Sequence, residues 1–471
     1  MIFWKPCHRW LMSVGLLLAA APAVAQQINM APVVPSRAAA PTPTAPVDEV
    51  LTGSVTDDSD WTDLGIDIPA FATDADRPTA ASAGGTAALG RAIAEVITSD
   101  LKNNGLFKPV GPEKLPPVPA EQVPAPDFAG WAGRGAEMLV HGAVNADEAG
   151  QLRVECRLYD VALKQQLTIS SNGFSPADWR RAAHKCADAI YSRLSGESPF
   201  FDSRIAYIAE TGPKNFRMKR LAIMDSDGAN HRFITTGQAM ALTPRYSPDY
   251  RSIVYLSYLN GNPRIYVYDT IRNSQRLITE SRNPTFAPRW SPDGKWILFS
   301  MAVGGNTNIY RVSSAGGTSV QALTATPGIN IGGSYSPDGR KITFESDRSG
   351  SQQIYVMNAD GSDQRRISFL GGRAATPEWS PRGDLIAFTH IAGNLRIAVM
   401  GTGGNDMRYL TDSWQDEAPT WSPNGRIVQF FRTTANSGRS ALWQVDVTGR
   451  QERRLPTPVD ASDPAWGPVL P

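Results

Sequence analysis

The chain has 471 residues, of which 46 are basic and 45 acidic. This near balance of charge argues against a surface for nucleic acid or another polyanion, because such surfaces carry a clear excess of Lys and Arg. The length predicts more than one domain.

The first 25 residues have the pattern of a secretory signal peptide. Lys5 and Arg9 precede an apolar run over residues 10–20, and the small residues Ala23 and Ala25 suit a signal peptidase that cuts after Ala25. The run is too short for a membrane anchor, which needs roughly 20 apolar residues. Cys7 lies inside the signal and not at the cleavage point, so a lipoprotein is not expected. We therefore predict an exported mature chain.

Two segments with few core-forming side chains follow the signal. Residues 26–47 are rich in Pro and Ala, which predicts a flexible, extended leader. Residues 48–60 (DEVLTGSVTDDSD) are short and acidic. For this second segment the sequence alone leaves two interpretations open, plain disorder and a partner-binding segment.

Residues 61–199 have a mixed α/β pattern. Apolar residues alternate from Leu64, and a helical apolar face follows over residues 87–103. Strands are predicted over residues 138–144 and 151–161, and a last helix over 176–194. We expect a small α/β domain beside the C-terminal region.

Cys156 and Cys186 are the two cysteines that remain after the signal, and both fall on predicted inward faces of this domain. A disulfide and a pair of buried thiols both fit the pattern, so the sequence leaves the choice open.

Residues 200–471 contain one repeated motif, which occurs as APRWSPDG, GGSYSPDG, TPEWSPRG and APTWSPNG. Two degenerate copies, TPRYSPDY and DPAWGP, flank these. Ser-Pro-Asp-Gly favours a type I turn, and apolar pairs after each turn predict strands. We call the aromatic residue of each motif its aromatic head. The heads are spaced by 44, 45, 44, 42 and 45 positions, at Tyr246, Trp290, Tyr335, Trp379, Trp421 and Trp466.

A period in the low forties with three or four short strands per repeat is typical of a β-propeller. Residues 203–244 have the strand pattern that follows the motif in a repeat but lack the motif with its aromatic head. Residues 463–468 have the aromatic head without the strand pattern that would follow it. Five complete repeats and one split between the ends therefore make six blades. The predicted fold is an α/β N-terminal domain followed by a six-bladed all-β propeller over residues 200–471. We interpret the recurrent aromatic heads as packing between blades.

The sequence lacks the common catalytic signatures, including a nucleophile elbow, a zinc-binding His-Glu-x-x-His motif and a glycine-rich phosphate loop. No catalytic, cofactor-binding or metal-binding residue is therefore predicted. The histidines of the mature chain have no second ligand at a suitable spacing, and we interpret them as ordinary surface or core residues: His141, His184, His231 and His390.

The aspartates of the repeated turn invite a calcium interpretation, but a tight turn gives them a simpler role, the capping of local backbone N–H groups. Arg382 and Asn424 occupy the same slot in two other blades, which a shared calcium loop would not tolerate.

The loops before the aromatic heads are the predicted partner surface. They vary while the repeats stay regular, and they share one face because each enters the same strand of its blade. These loops are residues 237–243, 281–287, 327–333, 371–376 and 413–418.

The order of these segments resembles the TolB family of the Tol-Pal system. The resemblance rests on the Ala-x-Ala signal, the acidic segment, the small α/β domain, the junction FFDSRIAYI at residues 200–208 and the six WSPDG-type blades. It spans about residues 48–471. It implies a monomeric, non-enzymatic periplasmic adaptor without a cofactor, which maintains outer-membrane integrity and draws the outer membrane inward at cell division. The propeller would bind the outer-membrane lipoprotein Pal, and the N-terminal segment would bind the C-terminal domain of TolA, an inner-membrane protein.

The resemblance also suggests site residues. For Pal these are Asn283, Thr285, Ala287, Asn330 and Ile331. For TolA they are Asp48, Glu49, Val50, Leu51 and Val55, within residues 48–60. In the family this segment usually begins soon after signal cleavage, whereas here residues 26–47 precede it. The TolA-binding peptide therefore starts either at Gln26 or after a leader that only adds reach.

Two rival functions belong to other classes. A periplasmic enzyme or a peptidase-gating propeller needs a nucleophile and a base at the mouth of the ring, or a following hydrolase domain, for which the sequence up to Pro471 leaves no room. A stand-alone ligand-binding propeller needs convergent polar groups in the central channel, and a sequence does not reveal these.

Overall fold

A computed structural model describes residues 64–213 and 216–471 of the chain. The predicted signal peptide, leader and acidic segment, with all five predicted TolA-binding residues, lie outside the described residues. Within the described ranges, none of the helices has the length and apolar character that a membrane crossing requires.

The N-terminal domain is built on a five-stranded sheet with the order β2-β1-β3-β4-β5. Its strands are β1 (Leu64–Asp67), β2 (Phe107–Val110), β3 (Met138–Ala146), β4 (Leu152–Asp160) and β5 (Gln165–Phe174). Its helices are α1 (Thr86–Asn103), α2 (Phe128–Ala132) and α3 (Trp179–Ser195). β1 runs parallel to β2 and β3, whereas β3, β4 and β5 are antiparallel.

The predicted helices and strands of this domain are present, with shifts of one to three residues at their ends. Two strands were not predicted. β2 has only four residues, one of them Pro109, and β5 is largely polar along its length, so neither has an apolar pattern that would reveal a strand.

Helices α1 and α3 pack together through buried apolar side chains such as Ile93 and Ile190. Cys156 on β4 and Cys186 on α3 form a disulfide with a Cα separation of 6.0 Å, inside the usual range for such bridges. The structure thus has the bonded form of the two that the sequence left open. The bridge ties the sheet to α3, the helix that contacts the propeller.

The propeller has six four-stranded antiparallel sheets. Blade 1 contains β6 (Ser203–Thr211), β7 (Met218–Asp225), β8 (Arg232–Phe233) and the C-terminal strand β29 (Asp460–Val469). Blade 2 contains β9 (Ala241–Tyr246), β10 (Ser252–Ser257), β11 (Arg264–Asp269) and β12 (Ser274–Leu277). Blade 3 contains β13 (Thr285–Trp290), β14 (Trp296–Val303), β15 (Asn306–Ser313) and β16 (Val320–Ala322).

The remaining blades repeat this order. Blade 4 contains β17 (Asn330–Tyr335), β18 (Lys341–Ser346), β19 (Gln353–Asn358) and β20 (Arg365–Arg366). Blade 5 contains β21 (Arg373–Trp379), β22 (Leu385–Ala392), β23 (Asn394–Gly401) and β24 (Arg408–Tyr409). Blade 6 contains β25 (Asp416–Trp421), β26 (Ile427–Thr433), β27 (Ser440–Asp446) and β28 (Glu452–Arg454).

The ring closes as the repeat count predicted. β29 pairs with β6, so that Trp466 lies opposite Ile205, and the first strands of successive blades contact one another around the axis. The six-bladed propeller after an α/β domain is therefore confirmed.

The aromatic heads and the turns also have the predicted structural roles. The indole N–H groups of Trp290 and Trp421 donate to backbone oxygens in the preceding blade, those of Arg245 and Glu378. In the turns, the Asp293 carboxylate accepts hydrogen bonds from its own Ser hydroxyl and from a backbone N–H. Asp249 and Asp338 have the same contacts in their blades.

Candidate partner-binding surface

The two faces of the ring carry different connections. We call one the turn face: it carries the repeated Ser-Pro turns between the first and second strands and the turns between the third and fourth. We call the other the loop face: it carries the loops that enter each first strand and the hairpin loops between the second and third strands. This follows from the up-and-down order of strands within each blade.

The N-terminal domain packs on the turn face, at blades 5, 6 and 1. The side-chain amide of Asn424 donates to Tyr191 Oη at 3.2 Å and to the Ser198 carbonyl at 3.1 Å. Arg382 pairs with Glu197 at 3.1 Å. Asn424 and Arg382 are the residues that replace Asp in the repeated turn, and both make contacts to the N-terminal domain that an Asp carboxylate would not make.

The junction between the domains is held by Asp188 on α3. Its carboxylate accepts backbone N–H groups of Phe200, Phe201 and Asp202 at 2.8 to 3.0 Å. Burial nonetheless raises the pKa of Asp188 to about 6. Phe200 and Phe201 are buried against Trp466 and Tyr191, so the cores of the two domains form one continuous apolar cluster.

The loop face exposes large apolar side chains. Trp414 is 58% exposed and Phe369 is 76% exposed, each in or beside a loop that enters a first strand. Five more exposed large apolar side chains lie on this face, namely Phe216, Met218, Met240, Leu259 and Val303. Trp414 lies inside the predicted partner loop 413–418 but was not among the residues suggested for Pal. A large aromatic residue in an otherwise polar loop is the sequence signal that could have identified it.

The residues suggested for Pal lie at the predicted face but differ in exposure. Asn283 is exposed, whereas Ala287 and Ile331 are half-buried. Thr285 and Asn330 are 0% exposed, so their side chains support the loops and are not available as surface contacts. This differs from the expectation of rim contacts at all five positions. The physical reason is that both residues lie at the start of a first strand, where the neighbouring hairpin loops cover them.

Asn330 shows this supporting role most clearly. Its amide nitrogen donates to the Thr307 carbonyl and to Asn308 Oδ1, both at 3.1 Å, in the hairpin of the preceding blade. Its amide oxygen accepts from Ser346 Oγ at 2.7 Å and from Arg348 at 2.6 Å. The side chain thus joins a loop of the loop face to two blades.

Every first strand contains a bulge three residues before its aromatic head. At this point the register with the second strand shifts and the backbone φ is positive. Such a conformation is uncommon for residues other than Gly. A β-bulge re-aims the strand, here at the channel wall. The six positions are Thr243, Ala287, Gly332, Thr376, Ala418 and Asp463.

The central channel is crossed by charged side chains. Arg289 and Arg245, on neighbouring blades, lie 3.4 and 3.7 Å from the same carboxylate oxygen of Glu378, on the other side of the ring. The second Glu378 oxygen accepts from Thr420 at 2.8 Å. Burial lowers the pKa of Arg289 to about 9. These groups converge as a ligand site would require, but they pair with one another across the axis.

The four histidines have structural partners. His141 lies 3.0 Å from the Gln122 carbonyl, and burial lowers its pKa to about 4. His231 contacts Tyr207, and His390 contacts Tyr409 and the Gly371 carbonyl. His184 lies between Asp100 and Asp227, the one trio in the described ranges whose ligand atoms are close enough to be considered for a metal. Sequence spacing did not reveal this trio, because its members come from distant segments.

Comparison with known proteins agrees with this architecture. The family model described as the TolB amino-terminal domain matches residues 74–167, and the one described as the TolB beta propeller domain matches residues 191–470. The chain is 72% identical to Tol-Pal system protein TolB 1 of Novosphingobium aromaticivorans, over 97% of this chain and 98% of that protein. It is 61% identical to Tol-Pal system protein TolB of Sphingopyxis alaskensis, over 97% of this chain and 98% of that protein.

A solved structure has the same arrangement of domains. The crystal structure of TolB from Acinetobacter baumannii matches with a TM-score of 0.75 and 28% identity, covering 86% of this chain and 97% of that one. The relatives match over nearly their whole length, and both domains match models of the same family. The chain therefore belongs to the TolB family and is a component of the Tol-Pal system.

Proposed function

We propose that the chain is a non-enzymatic periplasmic adaptor that binds Pal through the loop face and the C-terminal domain of TolA through its N-terminal segment. It would link the inner membrane to the outer membrane and peptidoglycan, for outer-membrane integrity and for invagination at cell division. The observation that carries this proposal is the contrast between the faces: the N-terminal domain covers part of the turn face, and the loop face exposes seven large apolar side chains.

Exposed apolar side chains gathered on one rim support a protein partner. Five of the seven are Trp, Phe or Met, residue types that are enriched in protein–protein interfaces. Trp414 and Phe369 are the candidates for the strongest contacts, because aromatic residues are enriched among the residues that dominate binding energy. Asn283, which is exposed, stays a candidate contact on this face, and the half-buried Ala287 and Ile331 stay candidates of lower exposure.

Binding without catalysis is supported by the partners of the histidines. Three of the four have a ring nitrogen within hydrogen-bond distance of a Tyr hydroxyl or an Asp carboxylate. The fourth, His141, contacts a backbone carbonyl, and burial strongly lowers the pKa of its imidazole. The charged groups in the channel likewise pair with each other. We accordingly favour the adaptor over a hydrolase or a channel that binds a small ligand.

The acidic segment, residues 48–60, is proposed for TolA because the chain belongs to the TolB family and this segment precedes the α/β domain, as the resemblance implies. A short segment that becomes ordered on binding gives modest affinity per area and is easily switched. The monomeric state and the periplasmic location belong to the same proposal, with the signal peptide cleaved after Ala25.

The proposal is tested by calorimetric titration of the mature chain with soluble Pal, repeated with a chain that lacks residues 26–60. We expect one-to-one binding in both cases, which would place the Pal site on the folded body. The same titrations with the TolA C-terminal domain should give binding only when residues 26–60 are present. Absence of Pal binding in both chains would contradict the adaptor proposal.

The face is tested by substitution. Trp414→Ala is expected to weaken Pal binding by roughly 30-fold, the loss typical of a dominant interface residue. Ile271→Ala is the matched control, because Ile271 is a 68% exposed apolar residue in a turn of the opposite face. Equal affinities for Trp414→Ala and the unmodified chain, or a loss with Ile271→Ala instead, would show that the loop face is the wrong surface.

A further inference from the structure

The interface between the two domains contains a histidine held between two carboxylates. His184 on α3 is 1% exposed. Its Nδ1 lies 2.7 Å from Asp100 Oδ2, on α1 of the same domain, and its Nε2 lies 3.9 Å from Asp227 Oδ2, in the turn after β7 of the propeller. The imidazole ring therefore bridges the N-terminal domain and blade 1.

This geometry suits a proton better than a metal ion. The two carboxylates face opposite nitrogens of the ring, so one cation cannot be coordinated by His184 and both aspartates in this arrangement. The positively charged guanidinium of Arg180 already pairs with Asp227. A doubly protonated imidazole, by contrast, donates from Nδ1 to Asp100 and places its positive charge 3.9 Å from the Asp227 carboxylate.

A neutral His184 would place a buried acceptor opposite a carboxylate. If Nδ1 keeps its hydrogen to donate to Asp100, then the lone pair of Nε2 faces the Asp227 carboxylate at 3.9 Å, a distance too long for a hydrogen bond in either protonation state. Two acceptors that face each other in a buried site are unfavourable. A small cleft between the domains reaches Asp100 and Asp227, which gives a path for proton exchange.

The other charged groups around this trio come from both domains. α3 contributes Arg180 and Asp188, which lie one turn before and one turn after His184. β7 contributes its last residue, Asp225, and β28 contributes Arg453. Arg204 on β6 lies 3.8 Å from Asp225. Arg180 pairs with Asp227 in either state of the imidazole, and a neutral ring can still donate from Nδ1 to Asp100, so the part of the contact that depends on pH is the positive charge of His184 beside Asp227.

We propose that His184 is a proton-operated latch between the two domains, in which the imidazolium ties α1 to the propeller turn and loss of its proton loosens the docking of the N-terminal domain. The inference does not depend on the identity of the partners in the proposed function. It concerns how firmly the turn face holds the domain that precedes it.

The charged groups around His184 determine the pH range in which the latch is closed. Burial opposes protonation of His184, but Asp100 and Asp227 outweigh it and raise its pKa to about 9 from an ordinary value of 6.5. A raised pKa means that the stabilisation is complete below the unfolded value and is lost as pH rises through the folded value. The latch is therefore closed below about pH 6.5 and weakens towards about pH 9.

The direct test is NMR titration of the mature chain with labelled histidine rings. The mature chain has four histidines, so four titration curves are expected, and substitution of His141, His231 and His390 in turn identifies the fourth. We expect His184 to stay protonated through pH 6.5 and to titrate near pH 9. A His184 that is neutral at pH 6.5 would overturn the proposal.

The second test measures opening of the interface by amide hydrogen exchange over residues 198–203 and 226–230 between pH 6.5 and 9. Unmodified chain is compared with His184→Gln at each pH, so that the intrinsic exchange rate cancels. We expect the opening constant of the unmodified chain to rise by up to about tenfold per pH unit, as loss of one proton requires. The variant should open more readily at pH 6.5 and show little further change.

His231→Gln is the matched control, because His231 lies in blade 1 with a lowered pKa and should not titrate in this window. Identical pH dependence of the unmodified chain and His184→Gln would overturn the latch. If His184→Gln does not fold, the ring titration of the unmodified histidine decides alone.

Discussion

The two faces of the propeller are built from the same repeats but present different chemistry. On the turn face, polar side chains reach into the N-terminal domain, and Phe200 and Phe201 join the two cores. On the loop face, polar side chains such as Asn330 face inward to hold loops, while Trp414 and Phe369 face solvent. The same repeat therefore serves two ends: on the turn face its polar groups bind the N-terminal domain, and on the loop face they support loops that expose apolar side chains.

The strongest contrast between the faces is expected from two tryptophans. Trp466 is buried against Phe200, and its indole N–H donates to Ser203 Oγ at 2.8 Å, whereas Trp414 is 58% exposed. We expect Trp466→Ala to lower the free energy of unfolding by about 3–5 kcal/mol, because it leaves a cavity at the ring closure. Trp414→Ala should change it by less than about 0.5 kcal/mol. Urea unfolding of both variants measures the difference, and similar losses would contradict the assignment of the two faces.

A smaller effect is expected within the loop face itself, where two asparagines differ in role. Asn330→Ala removes a buried side chain with partners on two blades and leaves those partners unsatisfied, so the free energy of unfolding should fall by about 1–3 kcal/mol. Asn283→Ala removes an exposed side chain and should have little effect on stability. Thermal and urea unfolding give both values. An unchanged stability for Asn330→Ala would show that the loop does not need this support.

The smallest effect on stability is expected within the turn face, where Asn424 replaces the Asp of the repeated turn. Asn424→Asp restores the usual residue of the repeated turn but removes the donors to Tyr191 Oη and the Ser198 carbonyl. We expect a loss of about 1 kcal/mol at neutral pH, the net worth of a typical hydrogen bond. Asp338→Asn, the reverse change in blade 4, should cost less, because the Asp338 side chain bonds only within its own turn among the contacts described. Equal losses of stability for the two variants would show that the contact of Asn424 with the N-terminal domain does not stabilise the fold.

The ring was predictable from the sequence because its signal is repeated. The Ser-Pro turns and aromatic heads recur at a nearly constant spacing, and the split repeat at the two ends predicts the closure between β29 and β6. The strand β5 was not predictable in the same way, because its exposed polar residues carry no period that distinguishes a strand from a loop.

The candidate sites were predictable only in part. The common face of the loops that enter the first strands followed from the alternation of strands, but exposure at single positions did not, since Thr285 and Asn330 are covered by loops of other blades. The domain interface has a signal in the sequence, namely the two turns in which another residue replaces Asp. Arg382 and Asn424 argued against calcium there, and the structure adds that these two exchanges mark the turns on which the N-terminal domain rests.

The closure of the ring has a consequence for how the chain reaches its native state. Ser203 and Trp466, bonded in blade 1, are 263 positions apart, and Arg181 on α3 holds the carbonyl of Pro471 at 2.9 Å. Blade 1 cannot be completed until the last strand is available, and until then the edge of β6 is an unpaired template for other strands. Because contacts between distant positions form slowly, we expect the pairing of β29 with β6 to be a late step of folding, and we expect a chain interrupted before residue 460 to be prone to aggregation.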